Sequence, residues 1–501
     1  MSSSKGDIQY GDQNVTEDHV ALIPPDVGSR RVSSSSTFLY LVVAVSLLAP
    51  ISMGYTIGYS SPALPDMKAA HVLQDETWFG VRSLLNIGAI FGGPLAGILL
   101  GKYGRKVTVM MCAVPYVIGW ALIASIESQG GLFVGRVLTG LAAGMTSLSC
   151  PVYIAEMASP DNRGFLGSSF QLCVTLGILM VYSLGLPLSY VWLAIVAAGL
   201  AFLLVVFMLP MPDTPAYWLI KKQRQRALAV LQEVRGSGVD VDIECREIES
   251  TLDNSDNSIS WREFLEPHLF RPLGISLSLM FFQQFSGINT VMFYTVDIFK
   301  STHSSIDPHV STIIVGAVQV AATAVSVLLM DRLGRKVLLI VAGVMMAISS
   351  TSFGAYYYII NEVNNGTNTT AAPIIPSSPS MTLAVADSSG ADLSWLGLSS
   401  MVVYIIGFSL GLGPIPWLLM SEIFPSKARG IASAIATAFN WMCSFIITKE
   451  FLALEGAFTQ QGVFWMYAGV CVVEVLFVLF LVPETKGKSL EEIEDHFRKR
   501  E

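Results

Sequence analysis

The feature that most constrains this chain is a set of short motifs that occurs twice, in the same order. Gly104-Arg105-Lys106 follows one apolar stretch, and Gly334-Arg335-Lys336 follows another 230 residues later. A glutamate that precedes an Arg-Gly pair also repeats, at Glu156 and at Glu422, 266 residues apart. Such a repeat indicates a duplicated structural unit, and duplicated bundles of membrane helices are common among transport proteins.

The composition places this duplicated unit in a lipid bilayer. Hydrophobic residues make up 52% of the chain and charged residues 14%, whereas a soluble protein typically carries about 25% charged residues. The apolar segments predict an all-α membrane protein with twelve transmembrane helices, arranged as two six-helix halves. We expect spans near residues 38–58, 80–101, 107–126, 132–155, 165–186, 190–210, 270–296, 310–330, 337–360, 396–420, 429–449 and 461–482.

The distribution of basic residues orients the chain. Of its 30 lysines and arginines, 25 fall on the face that carries both termini and four on the opposite face, which predicts cytoplasmic termini. The expected segments are a cytoplasmic N-terminal tail (1–37), a first half (38–210), a cytoplasmic helical linker (211–269), a second half (270–482) and a cytoplasmic C-terminal tail (483–501). The outer loop 361–394 holds sequons at Asn365 and Asn368, which we expect to be glycosylated.

Several function classes find no support in the sequence. It contains no metal-ligand cluster, no nucleophile–base pair and no phosphate-binding loop, so we expect no enzyme activity, no metal site and no cofactor. No basic stretch is long enough to suggest a nucleic-acid partner. The expected partners are a small molecule and the bilayer itself.

A wider set of motifs resembles the sugar porters of the major facilitator superfamily. The matching stretches are Pro151-Val152-Tyr153-Ile154-Ala155-Glu156, Gln283-Gln284-Phe285-Ser286-Gly287-Ile288-Asn289, Gly413-Pro414-Ile415-Pro416-Trp417 and Pro483-Glu484-Thr485-Lys486-Gly487. They occur in the family's order, and the resemblance covers almost the whole chain. The long loop after the ninth span is similar to that of class III facilitative glucose transporters. Insect-type trehalose transporters resemble the same stretches.

The resemblance implies a hexose site built from carboxamides and an aromatic platform. Amides suit a sugar because they both donate and accept hydrogen bonds, and they are costly in an apolar span unless they meet partners. The expected sugar contacts are Gln171, Gln283, Gln284, Asn289, Gln319, Ser409, Trp417 and Asn440. Ser409 stands where the family usually has a carboxylate. For any single amide, hydrogen bonding between helices remains the alternative.

A second group of residues is expected at the cytoplasmic ends of the spans. Salt bridges there would hold an outward-facing state and break when the carrier opens inward. This inner gate consists of Arg105, Glu156, Arg163, Asp331, Arg335, Glu422 and Arg429. The alternative is that the basic residues only orient the protein in the membrane.

The sequence favours a uniporter over a proton-coupled carrier. Proton-linked relatives carry an aspartate beside a Gly-Tyr pair in the first span, and Thr56 stands at that position here. Glu474 is the one carboxylate deep in a span, and we expect it to be paired structurally. The resulting hypothesis is facilitative transport of hexose, most of all D-glucose, with fructose or galactose as further candidates. A proton-coupled sugar or trehalose porter and a non-transporting sugar sensor remain as alternatives.

The N-terminal tail contains a pattern that directs membrane proteins to internal compartments. Asp18, three spacer residues and then Leu22-Ile23 fit an acidic dileucine signal, which clathrin adaptor complexes bind. This pattern predicts an endosomal or lysosomal location, with the plasma membrane as an alternative or second pool. We expect the functional unit to be a monomer.

Overall fold

The structure is a computed structural model of the 501-residue chain. It describes residues 36–70, 78–125, 128–159, 162–236, 238–253, 266–292, 308–369, 394–424, 426–486, 492–493 and 497. The predicted sorting signal at Asp18, Leu22 and Ile23 lies outside these residues. Within the described ranges, every regular element is a helix, as an all-α membrane protein requires.

The first half is a bundle of six membrane spans. They are Thr37–Ser46 continued by Leu48–Gly58, Trp78–Tyr103, Arg105–Met111 continued by Ala113–Ser125, Gln129–Met157, Arg163–Leu184, and Tyr190–Met208. A shorter helix, Ser60–Ala69, extends the first span. Small residues let the spans approach closely; a Cβ placed on Gly140 of the fourth span would lie 1.9 Å from the carbonyl oxygen of Leu85 in the second.

The second half repeats this arrangement. Its helices are Pro267–Phe285, Pro308–Leu333, Arg335–Thr369, Ser394–Leu410 continued by Ile415–Ile423, and Ser426–Leu481. The last of these holds both final spans and is interrupted at Thr459, where φ is 64°. Eleven segments of the described chain are long and apolar enough to cross a membrane. The predicted seventh span is not among them, and its helix is broken.

The break in the seventh span falls at Ser286 and Gly287. Helix Pro267–Phe285 ends there, and Gly287 adopts a φ of 95°, which glycine reaches without steric cost. The Tyr404 hydroxyl of the tenth span donates to the Ser286 carbonyl oxygen at 2.9 Å. The Tyr467 ring fills the space where a Cβ on Gly287 would lie, at 2.5 Å. Two neighbouring spans therefore stabilise the break, and the prediction of one unbroken helix over 270–296 is wrong.

The ninth span also differs from its predicted boundary. Its helix continues to Thr369, past the expected start of the outer loop at residue 361. Asn365 and Asn368 therefore lie in the last turns of a helix and not in an irregular loop.

The linker between the halves forms three helices, Pro215–Ile220, Arg224–Arg235 and Val241–Asp253, on the side predicted to be cytoplasmic. They share a small core of Leu219, Ala227, Leu231, Val241 and Cys245. Arg235 donates to the carbonyl oxygen of Met157, at the end of the fourth span, at 2.9 Å, and pairs with Glu244 at 2.8 Å. The Ser36 hydroxyl, at the start of the first span, donates to the Glu233 carbonyl oxygen at 2.7 Å. The linker is thus fastened to the first half.

The two halves meet along helix pairs that include one span from each. The second span packs on the eleventh, where a Cβ on Gly93 would lie 3.1 Å from Cγ2 of Thr437. The fifth span packs on the eighth, where a Cβ on Gly316 would lie 3.2 Å from the Tyr182 ring. The Tyr182 hydroxyl also donates to the Met292 carbonyl oxygen of the seventh span at 3.0 Å. Side chains on these spans therefore link the halves.

Candidate functional site

Four of the predicted amide side chains form one connected network between the seventh and eleventh spans. Asn440 donates from Nδ2 to Oε1 of Gln283 at 2.8 Å and accepts at Oδ1 from Nε2 of Gln284 at 2.9 Å. Asn289 donates from Nδ2 to Oε1 of Gln284 at 2.6 Å. Gln283, Gln284 and Asn440 are each at most 5% exposed. The amides thus satisfy one another in a dry setting, and each is held in one orientation.

The helix break decides how these amides meet. The sequence predicts that Gln283, Gln284 and Asn289 share one face of a continuous helix, and that prediction is wrong. Asn289 follows the turn at Ser286-Gly287, and this turn places its amide against that of Gln284.

The network continues to the tenth span, which is also broken. Pro416 has no N–H to donate to the Leu412 carbonyl oxygen four residues earlier. Nε2 of Gln283 donates there instead, at 2.7 Å. Pro414 likewise cannot donate to the Leu410 carbonyl oxygen, and the Ser326 hydroxyl does so at 2.8 Å. Side chains of the seventh and eighth spans therefore complete the backbone hydrogen bonding that the two prolines interrupt.

The remaining predicted sugar contacts lie on other spans. Gln319 and Ser409 are each 2% exposed. Among the described residues, Oε1 of Gln319 and the Ser409 hydroxyl have no hydrogen-bond partner. A buried polar atom without a partner costs about 1–3 kcal/mol, so each of these atoms gains if a ligand bonds it. Gln171 on the fifth span and Trp417 on the tenth are half-buried.

The sequence reasoning missed two residues that extend the network into the other half. Asn289 donates from Nδ2 to the Ser444 hydroxyl at 2.6 Å, and that hydroxyl donates to Oδ1 of Asn86 at 3.0 Å. A second link joins Nε1 of Trp441 to the Ser147 hydroxyl at 3.3 Å. Asn86 carried a usable signal, since it is a carboxamide inside an apolar span. Ser444 carried none, because serine is common in membrane helices.

The first charge cluster, on the side predicted to be cytoplasmic, lies at the junction of the third, fourth and sixth spans. Arg105 pairs with Glu156 at 2.8 Å, and the Thr214 hydroxyl donates to the same carboxylate at 2.5 Å. Asp213 accepts from the backbone N–H groups of Arg105, Lys106 and Thr214 at 2.8–3.2 Å. Burial raises the pKa of the Asp213 carboxyl, and these three donors oppose the rise.

The second cluster has the same construction in the other half. Arg335 pairs with Glu422 at 3.0 Å, and the Thr485 hydroxyl donates to Glu422 at 2.7 Å. Glu484 accepts from the backbone N–H groups of Arg335 and Lys336 at 3.1 and 3.0 Å. Glu484 and Thr485 thus occupy the places that Asp213 and Thr214 have in the first cluster. Each ion pair joins two helices of one half.

The structure gives fewer contacts for the other predicted gate residues. The guanidinium of Arg429 donates to the Phe424 carbonyl oxygen at 3.2 Å. The side chains of Arg163 and Asp331 lie outside the described part of the structure.

A buried arginine lies beside Thr56, the position where the sequence comparison expects the aspartate of proton-linked relatives. Arg136 is fully buried and donates to the carbonyl oxygens of Thr56 and Val81, at 3.3 and 3.0 Å, and to the Ser60 hydroxyl at 2.8 Å. Its guanidinium also lies 5.7 Å from the centre of the Tyr59 ring. These neutral groups accept the hydrogen bonds of the Arg136 guanidinium beside Thr56.

The surroundings of Glu474 differ from the sequence prediction. The sequence predicts a structural partner for this carboxylate, yet both of its oxygens lack one among the described residues, so that prediction is wrong. The side chain is fully buried in the twelfth span and fills a notch at Gly343 of the ninth, where a Cβ would lie 2.0 Å from Oε2.

Comparisons with known proteins agree with the motifs. The family model described as "Sugar (and other) transporter" matches residues 41–497. Solute carrier family 2, facilitated glucose transporter member 8, from Bos taurus is 39% identical over 468 residues, which cover 92% of this chain and 95% of the relative. The stretches Gly58–Ala63 and Val482–Lys488 point to the same member. The facilitated trehalose transporter Tret1 of Culex quinquefasciatus is 38% identical over 484 residues, covering 95% and 88% of the two chains.

The fold comparison gives the same family. The proton:xylose symporter XylE of the major facilitator superfamily, solved with 6-bromo-6-deoxy-D-glucose, superposes with a TM-score of 0.74 at 26% identity, covering 92% of this chain and all of XylE. The resemblance drawn from the motifs is confirmed. This chain belongs to the sugar transporter family of the major facilitator superfamily.

Proposed function

We propose that the protein is a facilitative uniporter of hexose, with D-glucose as the first candidate substrate and fructose or galactose as further candidates. The observation that carries the proposal is the amide network of Gln283, Gln284, Asn289 and Asn440. These amides offer donors and acceptors in fixed orientations, which is what a neutral, hydroxyl-rich ligand needs.

Buried polar atoms without protein partners could contribute to the affinity of the site for a sugar. Oε1 of Gln319 and the Ser409 hydroxyl are buried and have no protein partner among the described residues. A sugar hydroxyl that reaches them gains a hydrogen bond without displacing one between protein groups. Trp417 provides an aromatic face for the less polar side of the ring.

The cytoplasmic clusters support alternating access. The pairs Arg105–Glu156 and Arg335–Glu422 each fasten helices within one half. We propose that this keeps each half rigid at its inner end, so that the halves rock as bodies around the sugar. In this proposal Arg163, Asp331 and Arg429 complete the inner gate, and its residues separate when the carrier opens inward.

The surroundings of Thr56, where proton-linked relatives carry an aspartate, support uniport. Arg136 is satisfied by neutral groups around Thr56, so no titratable acid is required there. The bovine relative is named a facilitated glucose transporter and the mosquito relative a facilitated trehalose transporter, and both names describe movement without coupling.

One observation favours a second candidate, a proton-coupled porter. Glu474 is a buried carboxyl whose oxygens lack partners in the described structure, and XylE is a proton symporter. The position of Glu474 between the ninth and twelfth spans, apart from the amide network, weighs against this alternative.

Counterflow in proteoliposomes tests these possibilities together. Vesicles with purified protein and unlabelled glucose inside should take up labelled glucose transiently, and competition by fructose, galactose and trehalose should rank the substrates. An inward proton gradient should not raise internal glucose above the external concentration. Binding without counterflow would indicate a sugar sensor, and accumulation that a protonophore abolishes would indicate proton coupling.

The proposed location rests on the tails and loops. The Asp18, Leu22 and Ile23 signal would recruit clathrin adaptor complexes from the cytoplasm and retain a monomeric carrier in endosomes or lysosomes, with a second pool at the plasma membrane. Glycans on Asn365 and Asn368 would then face the lumen.

A further inference from the structure

Asn86 is a carboxamide of the second span that the proposed function has not used. Its side chain is fully buried at the interface between the halves. Oδ1 accepts a hydrogen bond from the Ser444 hydroxyl of the eleventh span at 3.0 Å, and Nδ2 has no partner among the described residues.

The missing partner does not depend on how the amide is oriented. Exchanging the oxygen and nitrogen of an asparagine gives nearly the same shape. With the nitrogen facing Ser444, the oxygen of Asn86 would take the place of the atom without a partner. A carboxamide whose only role is to join two helices stabilises them most when both its oxygen and its nitrogen form hydrogen bonds. In Asn86 only one of these two atoms does.

The free end of Asn86 lies close to the amide network. Two successive hydrogen bonds, of 2.6 and 3.0 Å, lead from Nδ2 of Asn289 through the Ser444 hydroxyl to Asn86. The second span packs on the eleventh along this side, as the approach of Gly93 to Thr437 shows. A ligand bonded to Asn289 therefore has Asn86 as a neighbour from the opposite half.

We propose that Asn86 is a specificity-determining residue, the carboxamide by which the N-terminal half bonds one hydroxyl of the sugar. This inference rests on the proposed function. It means that the sugar bridges the halves, with Asn289 on one side and Asn86 on the other, so that binding favours their approach.

The test compares binding of D-glucose and its series of singly deoxygenated analogues to full-length wild-type protein and to Asn86→Leu, which has a similar volume and no hydrogen-bonding group. We expect Asn86→Leu to bind D-glucose about tenfold more weakly, because a buried hydrogen bond to the ligand is lost. The analogue that lacks the partner hydroxyl should bind both proteins equally. Thr139→Val is the matched control, since Thr139 is fully buried in the same half and its side-chain hydrogen bond in the described structure goes to its own helix, at the Arg136 carbonyl oxygen.

The outcomes separate this inference from the proposed function. Equal weakening for every analogue, or no weakening at all, would overturn the role of Asn86 while leaving hexose transport in place. Wild-type protein that neither binds nor exchanges any hexose would overturn the proposed function and this inference with it. If Asn86→Leu fails to fold, Asn86→Ser is measured against the same series and judged by the same criterion.

Discussion

Replacing Gln284 with leucine should weaken sugar binding. Gln284 is an internal member of the amide network, since its Nε2 donates to Asn440 at 2.9 Å and its Oε1 accepts from Asn289 at 2.6 Å. Leucine nearly preserves the volume and removes both hydrogen bonds. The substitution therefore tests hydrogen bonding with little change in packing.

The expected magnitude follows from which atoms lose partners. Oδ1 of Asn440 is left without a donor among the described residues, and Asn440 is 1% exposed. Asn289 loses less, because Nδ2 still donates to the Ser444 hydroxyl at 2.6 Å. Gln284 is also a proposed sugar contact, and leaving a bound sugar hydroxyl without its partner costs about 1–3 kcal/mol, which corresponds to roughly a 5- to 150-fold loss of affinity. We expect this loss in sugar binding, because the bound state requires both neighbouring amides in fixed orientations.

Equilibrium binding of labelled glucose to purified protein measures the effect, and counterflow shows whether transport follows. Gln461→Leu is the matched control, since that amide accepts from Asn361 at 3.0 Å at an exposed position outside the network. Gln284→Leu with wild-type affinity, at equal amounts of folded protein, would show that the network packs the helices and does not bind the sugar.

Three further predictions concern the gate, the buried carboxyl and the tail. Glu422→Gln removes the charge that pairs with Arg335 at 3.0 Å and should lower the free energy of unfolding by roughly 1.5–3 kcal/mol and slow transport; thermal unfolding and counterflow check this, and unchanged values contradict it. Glu474→Gln keeps the shape of the side chain and should leave glucose uptake unchanged at every imposed pH gradient, whereas loss of a proton-driven component would assign the coupling to Glu474. Replacing Leu22 and Ile23 with alanine should raise the surface fraction measured by biotinylation, and equal fractions in wild type and variant would remove the sorting assignment.

The repeated motifs predicted more of the structure than their length suggests. Gly104 and Gly334 share a φ of 91°, and the arginine that follows each of them pairs with a glutamate of the same half. The sequence could report this because the conformation and the charges are local properties, and because duplication preserved both. The hydrophobic segments likewise located the spans, since apolar length is what a bilayer selects.

The position of the amides was decided by tertiary structure. The sequence identified Gln283, Gln284 and Asn289 as site residues, but the break at Gly287 depends on the Tyr467 ring, which comes from a helix far along the chain. Hydrophobic periodicity places residues on a helix face and contains no information about a turn that another span stabilises. A continuous helix was therefore the natural prediction, and it was wrong.

Contacts between the halves could not be predicted from the sequence either. Asn86 and Ser444 are 358 residues apart, and no motif connects them. Whether a buried polar atom has a partner depends on which helices pack together and in what register, as the unpaired oxygens of Glu474 also illustrate. The sequence by itself thus determined the family, most of the spans and the set of candidate polar residues, because these depend on composition and local pattern. The tertiary structure alone decided which of those residues bond one another and which remain free for a ligand. Whether two groups form a hydrogen bond depends on differences of a few tenths of an ångström in the distance between them.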